Sequence, residues 1–256
     1  MLFPSDSPEY ARAVDPHNSL TTQRPAFVFT ADSESDVLNA VGEAASSSMQ
    51  LVPQATGHGA GAEVGGRDIL LDASQLNSIS IDPQRRVARV GSGVTWGALN
   101  AEAEKHGLLG PAGSSPSVSV SGYTFAGGVG WLVRRDGLAS AALRRVEFID
   151  GAGTARTASD DAPDPADRDA IWAFRGAGGV GVATSLEIEL FPAPDLHAGA
   201  LLWHASDLDA VVGAWASAIE TVGSGVSSSL GILHVPPVPA FPPTCWAPLP
   251  AWPRAS

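Results

Sequence analysis

The chain has 256 residues, with 27 acidic and 15 basic side chains and a formal net charge of −12 at pH 7. At roughly 100–200 residues per domain, this length suits one large domain or two small ones and can bury a substantial core. The excess of acidic side chains argues against a nucleic-acid partner, because a protein that binds nucleic acid needs a basic surface. A single cysteine, Cys245, excludes an internal disulfide and a cysteine-rich zinc site.

The sequence contains no run approaching the roughly 20 apolar residues that cross a membrane. Its first residues, 1–6, lack the basic region and apolar stretch of a secretory signal. No histidine pair has metal-ligand spacing, and the aspartates at 160–169 favour a solvated surface over a metal site. We therefore expect a cytoplasmic protein without a membrane partner and without a metal.

Short apolar runs in an alternating pattern predict strands from residue 24 onward, whereas residues 1–23 form a polar lead-in with no clear period. The predicted strands cover residues 26–29, 51–53, 68–72, 78–82, 86–90, 143–149, 154–157, 183–191 and 230–235. Capping residues and a helical period predict helices at residues 32–45, 95–106, 167–174 and 208–221.

Residues 110–130 break every period and consist mostly of Gly, Ser, Pro and Ala. A loop of this length is uncommon in a compact domain unless it is functional. Its serines supply hydroxyl groups and its glycines expose amide N–H groups, a combination that suits a pyrophosphate. A flexible loop without a ligand is the alternative.

His58 lies between glycines in Thr56-Gly57-His58-Gly59-Ala60-Gly61, directly after the predicted strand 51–53. Glycines on both sides allow the backbone to approach a ligand closely and to offer N–H groups to an anion. The spacing is equally typical of a tight turn that carries a surface histidine.

The string Gly176-Ala-Gly-Gly-Val-Gly181 satisfies the G-x-G-x-x-G pattern of nicotinamide-binding proteins. That function requires the string between a strand and a following helix. Here the predicted helix 167–174 comes first and the predicted strand 183–191 follows. The sequence therefore favours a glycine turn near some other cofactor, or a tight turn alone.

Several segments in a fixed order, taken together, resemble a known family. These segments are residues 24–26, 54–59, 69–72, 90–97, 122–138 and 172–179. They are similar to the FAD-binding domain of the vanillyl-alcohol-oxidase-type flavoproteins, called the PCMH domain. Within that group, the sequence most resembles the berberine-bridge-enzyme-like FAD-linked oxidases.

The resemblance implies an α+β fold with two small subdomains that clasp FAD. It places the FAD-binding domain at 24–193 and an incomplete substrate domain at 194–243. The polar lead-in at 1–23 precedes them, and we expect the Pro- and Trp-rich tail at 244–256 to be disordered. The residues that it assigns to the cofactor are Ala55, Thr56, Gly57, His58, Gly59, Ala60, Gly113, Ser114, Ser117, Val118, Ser121, Gly122, Thr124, Gly127, Gly128, Gly181 and Val182.

The family's histidine at the His58 position is often bonded covalently to the flavin. Ser115 stands where some members have a cysteine, so the resemblance implies one covalent link at most. The implied function is a FAD-dependent oxidoreductase that transfers a hydride from a small organic substrate. The resemblance identifies no catalytic base, substrate or oligomeric state.

The C-terminal tail has neither a strand nor a helical period, and eight of the 20 prolines lie between Pro236 and Pro253. A shifted reading frame or early stop near Pro243 would account for this composition, and a genuine Pro-rich tail is the alternative. If the chain is truncated, it is a flavin-binding fragment without turnover. A folded remnant that binds nothing is a third hypothesis.

Overall fold

The computed structural model describes residues 2–18, 20–61, 63–193 and 195–233. The chain divides into two compact units, Met1–Asp195 and Leu196–Ser256. The predicted tail at 244–256 lies outside the described residues, as does the end of the predicted strand 230–235.

The first unit contains both strands and helices along its length. The strands are β1 (Leu2–Phe3), β2 (Phe27–Thr30), β3 (Gln50–Gln54), β4 (Asp68–Asp72), β5 (Ile79–Asp82), β6 (Val87–Gly91), β7 (Leu108–Leu109), β8 (Leu143–Ile149), β9 (Ala155–Ser159), β10 (Val182–Glu189) and β11 (Phe191–Pro192). The helices are α1 (Pro8–Ala13), α2 (Glu34–Ser47), α3 (Trp96–Glu104), α4 (Val120–Phe125), α5 (Val133–Asp136) and α6 (Pro165–Phe174), with α7 (Leu208–Thr221) in the second unit. The mixed α+β class is as predicted.

The first sheet has the strand order β1-β2-β4-β3, with β4 parallel to both of its neighbours. Helix α2 covers one face because its apolar side chains recur at helical spacing, and Ser33 caps its first turn. Val37 of this helix belongs to the same buried cluster as Ile69 and Leu71 of β4. Parallel strands send their carboxyl ends to one edge, so the loops after β3 and β4 emerge together.

The second sheet has the order β5-β6-β10-β8-β9, with every pair antiparallel. Its core is larger and contains the fully buried Trp96, Phe174 and Ile188. At the end nearest the first sheet, Ile149 of β8 and Val182 of β10 join the first sheet's core. The two sheets therefore meet where β10 begins.

Three expectations differ from the structure. The lead-in contains β1 and α1, because Ser7 caps α1 and the buried Tyr10 donates its hydroxyl to the Pro25 carbonyl at 2.8 Å. The loop 110–130 contains α4, which Ser119 caps by accepting from the Gly122 N–H. The described part of the predicted strand 230–235 is irregular, since it pairs with none of the described strands.

Candidate cofactor site

A cavity of about 180 Å³ lies in the first unit at the junction of its two sheets. It is lined by the ends of β3, β4 and β6, the start of β10, helix α4 and the glycine turn after α6. The residues that line it are Pro53, Gln54, Ala55, Ala73, Ser92, Ser119, Ser121, Gly122, Phe125, Phe174, Ala177, Gly178, Gly179, Gly181, Val182 and Ala183.

Ser92 carries a buried hydroxyl group at the wall of this cavity. Only 4% of the residue is exposed, and its Oγ has no hydrogen-bond partner among the described residues. Its carbonyl oxygen accepts a hydrogen bond of 2.6 Å from Oγ of Ser121, which fixes α4 against the end of β6. A buried hydroxyl without a partner is costly, so Ser92 is a candidate to bind a polar ligand at this wall.

The turn between α6 and β10 brings backbone to the cavity in conformations that favour glycine. Gly178 and Gly179 have φ values of +75° and +86°, and the Ala177 N–H donates to the Phe125 carbonyl at 2.7 Å. A Cβ at Gly181 would lie 2.5 Å from the Ile149 carbonyl oxygen, so only glycine lets β10 enter the sheet there. The turn follows a helix and precedes a strand, which is the order opposite to a nicotinamide-binding fingerprint.

Hydrogen bonds join the Gly-His loop after β3 to the serine-rich loop before α4. Nε2 of His58 lies 2.9 Å from Oγ of Ser117, which in turn lies 3.1 Å from Oγ of Ser115. The backbone N–H of Ser119 donates to Oγ1 of Thr56 at 3.3 Å. The two glycine-rich segments that the sequence singles out thus form one continuous surface.

The imidazole of His58 is half-buried and stacks on the ring of His17, with ring centroids 4.0 Å apart and planes 23° from parallel. Burial lowers the pKa of His58, and the proximity of His17 lowers it further. The neutral imidazole is therefore favoured at neutral pH, and one of its nitrogens faces a hydroxyl group.

Comparison with known families identifies the domain. Residues 25–159 match a family described as the FAD binding domain, which is more than half of the chain. The chain belongs to this family. FAD is therefore the cofactor of the domain, as predicted.

Two curated relatives share the greater part of this chain. The (R)-6-hydroxynicotine oxidase of Paenarthrobacter nicotinovorans is 35% identical over 186 residues, covering 71% of this chain and 39% of the relative. Berberine bridge enzyme-like 2 of Arabidopsis thaliana is 32% identical over 186 residues, covering 69% of this chain and 33% of the relative. The chain thus spans well under half the length of these two relatives.

Solved structures show the same fold. The 6-hydroxy-D-nicotine oxidase of Arthrobacter nicotinovorans superposes with a TM-score of 0.69 at 32% identity, covering 75% of this chain and 42% of that one. The BBE-like 1 protein of Physcomitrella patens superposes with a TM-score of 0.67 at 25% identity over the same shares. The predicted two-subdomain FAD-binding fold is confirmed.

The residues present fit a dinucleotide. The unpartnered Oγ of Ser92 can donate to an oxygen of the cofactor, and Gly179 has no atom within 4 Å of where a Cβ would lie. Backbone N–H groups that no side chain covers can donate hydrogen bonds to phosphate groups that approach such a turn. Among the described residues no three His, Cys, Asp or Glu side chains could hold a metal ion, and no helix is long and apolar enough to cross a membrane.

The structure distributes the sequence-predicted residues over three places. Ala55, Ser121, Gly122, Gly181 and Val182 line the cavity. The joined loops beside it carry Thr56, Gly57, His58, Gly59, Ala60, Ser114, Ser117 and Val118. Around α4, outside the lining of this cavity, lie Gly113, Thr124, Gly127 and Gly128.

Gly113 and Gly128 have a packing role that their place in the sequence does not reveal. A Cβ at Gly113 would lie 3.0 Å from the Tyr123 ring, and one at Gly128 would lie 2.6 Å from it. The close approach of their backbone to Tyr123 fixes α4. Their assignment to the cofactor stays a prediction.

The sequence assignment omitted several residues of the cavity wall. Gln54, Ser92, Phe125 and Phe174 line the cavity, and so does the turn 177–179. Gln54 and Ser92 lie within segments that carry the family resemblance, and their polar side chains at strand ends are the signal that would have identified them. The two phenylalanines give no such signal, because a core phenylalanine has the same pattern.

Proposed function

We propose that the chain forms the FAD-holding part of a FAD-dependent oxidoreductase that removes a hydride from a small organic substrate. Bound FAD would supply the redox chemistry, and the protein would supply binding, orientation and exclusion of water. The relatives named as oxidases support this class of reaction. The chain spans only part of their length, so the activity of the whole protein is part of the proposal.

The observation that carries the proposal is the buried, unpartnered hydroxyl of Ser92 at the wall of a cavity between two glycine-rich segments. Ser92 would donate to the cofactor, and the backbone of Gly178 and Gly179 would approach its phosphate groups. Gly122 would allow close contact at the first turn of α4. Phe125 and Phe174, whose ring centroids are 5.0 Å apart, would exclude water from one wall.

His58 would tether the cofactor from the joined loops. Its neutral form is favoured at neutral pH, which leaves one ring nitrogen unprotonated, and glycines flank it on both sides. The nearby Ser115 has no thiolate, so a second covalent link there is excluded by its chemistry. A His58→Ala variant should release, on acid precipitation, any flavin that the wild-type chain retains. Retention of flavin by the variant would show that His58 is not the point of attachment.

The test of the proposed activity is reduction of the bound flavin. The full chain, saturated with FAD, is mixed anaerobically with candidate alcohols and amines while the visible absorbance of the flavin is followed. Stoichiometric bleaching by one of them supports an oxidoreductase. Bound flavin that bleaches with dithionite but with none of the substrates would support the alternative, a flavin-binding fragment without turnover.

A cytoplasmic location stays a prediction.

A further inference from the structure

The segment just before the matched domain packs against the Gly-His loop. We call its described residues, 13–18 and 20–23, the N-terminal strap. Gln54 Nε2 donates to the Ala13 carbonyl at 2.9 Å, and Gln23 Nε2 donates to Gln54 Oε1 at 2.7 Å. Oγ1 of Thr21 donates to the Ala60 carbonyl at 3.0 Å. The strap therefore holds both ends of the loop that carries His58.

The middle of the loop lies directly on the strap as well. Gly57 has a φ of +70°, and a Cβ there would lie 3.1 Å from Cα of the buried Pro16. Backbone thus contacts backbone at the residue before His58, and a Cβ at that position would require Pro16 to shift by a few tenths of an ångström. The strap and the loop form one packed layer.

The ring of the next strap residue, His17, stacks on His58 at a centroid distance of 4.0 Å. The stack restricts the plane of the His58 imidazole, and the hydrogen bond to Ser117 restricts the direction of its Nε2. A ring held by both a face contact and a directed hydrogen bond retains little rotational freedom. The orientation of His58 is therefore set from outside its own loop.

We propose that His17 is a positioning residue for His58, so that the cofactor site extends into the N-terminal strap, upstream of residue 25 where the family match begins. This inference rests on the proposed role of His58 at the cofactor. It makes the geometry of the Gly-His loop depend on a residue 41 positions before His58 in the sequence.

The charged groups around His58 also favour its neutral form. The loops at 53–61 and 110–130 contain no Asp, Glu, Lys or Arg. Asp15 is the carboxylate of the strap, and electrostatic repulsion from His17 lowers the pKa of His58, after burial itself. Two stacked imidazoles cannot both be protonated without repulsion, so the pair favours a neutral His58.

The first test needs no flavin. The pKa of His58 is measured in the full chain by following its ring protons with NMR as the pH is changed. The proteins compared are the wild type, His17→Ala and His17→Phe. His106→Ala, at an exposed histidine remote in sequence, is the control. The pKa of His58 should rise in His17→Ala, which loses both burial and repulsion. It should rise less in His17→Phe, which keeps the stack. An unchanged titration in His17→Ala would overturn the proposal.

The second test measures FAD affinity in the same three variants. His17→Ala should bind FAD about two- to tenfold more weakly, whereas His17→Phe should bind as the wild type does, because a stacked ring is what the role requires. An equal loss in both variants would contradict a stacking role. If the wild type binds no FAD, the proposed function fails, and the His58 titration still decides whether His17 positions the ring.

Discussion

Nε2 of His58 lies 2.9 Å from Oγ of Ser117, a side-chain hydrogen bond between residues that are 59 positions apart in the sequence. One loop leaves the first sheet after β3, and the other precedes α4, which packs on the second sheet's core. The contact therefore ties the two subdomains together beside the cavity. A cofactor that contacts both loops would therefore bind to a surface that is already formed.

Replacing Ser117 by Ala removes this hydrogen bond and should loosen the two loops. Because the side chain of Ser117 is exposed, we expect the free energy of unfolding to fall by only about 0.5–1 kcal/mol. Chemical denaturation of the full chain measures the change. Ser78→Ala, at an exposed serine before β5, is the matched control and should unfold as the wild type does. Equal unfolding of both variants would show that the contact contributes nothing.

Replacing Ser92 by Ala should have opposite effects on stability and on cofactor affinity. The flavin-free chain loses a buried hydroxyl without a partner, so its free energy of unfolding should stay the same or rise by about 1 kcal/mol. FAD affinity should fall about fivefold, since a donor to the cofactor is gone. Denaturation and FAD titration of the same preparation measure the two effects. Unaltered FAD affinity would remove Ser92 from the site.

Replacing Gly181 by Ala places a Cβ within 2.5 Å of the Ile149 carbonyl oxygen and within 2.6 Å of the Phe148 ring. The start of β10 must then shift away from β8, and we expect a loss of about 1–3 kcal/mol in the free energy of unfolding. Gly176→Ala, in the same turn, is the control, because its new Cβ would meet only ordinary van der Waals contacts. Similar denaturation midpoints for the two variants would contradict the tight packing at Gly181.

The lowered pKa of His58 predicts a pH dependence of stability. The folded chain binds a proton at this imidazole less readily than the unfolded chain, so the contribution is present above the ordinary pKa of about 6.5. It is lost as the pH falls through the lowered value in the folded state. His58→Gln should therefore lose less stability than the wild type between about pH 7.5 and about pH 5.

Denaturant unfolding at several pH values measures this slope. His106→Gln, which removes an exposed imidazole without a side-chain hydrogen bond among the described residues, is the matched control. If His58→Gln and His106→Gln behave alike, the titration of His58 is not coupled to folding.

The strands and the longer helices could be predicted because their apolar residues follow a period, as in the alternation of β5 and the caps of α2 and α3. The order of helix and strand around Gly181 could also be predicted, and it argues against a nicotinamide-binding fold. Neither the packing of α1 nor that of the strap could be predicted, because Tyr10 of α1 and His17 of the strap act through long-range contacts that leave no local period. Helix α4 was missed because glycine, serine and threonine dominate it, and its stability comes from a cap and from burial.

The most direct test of the central claim is the flavin content of the purified full chain. The protein is incubated with FAD, freed of unbound cofactor by desalting, and its flavin absorbance is compared with its protein concentration, with NAD tested in parallel. The account predicts a flavin-to-protein ratio approaching one and no retention of NAD. A folded chain that retains NAD but no FAD would contradict it.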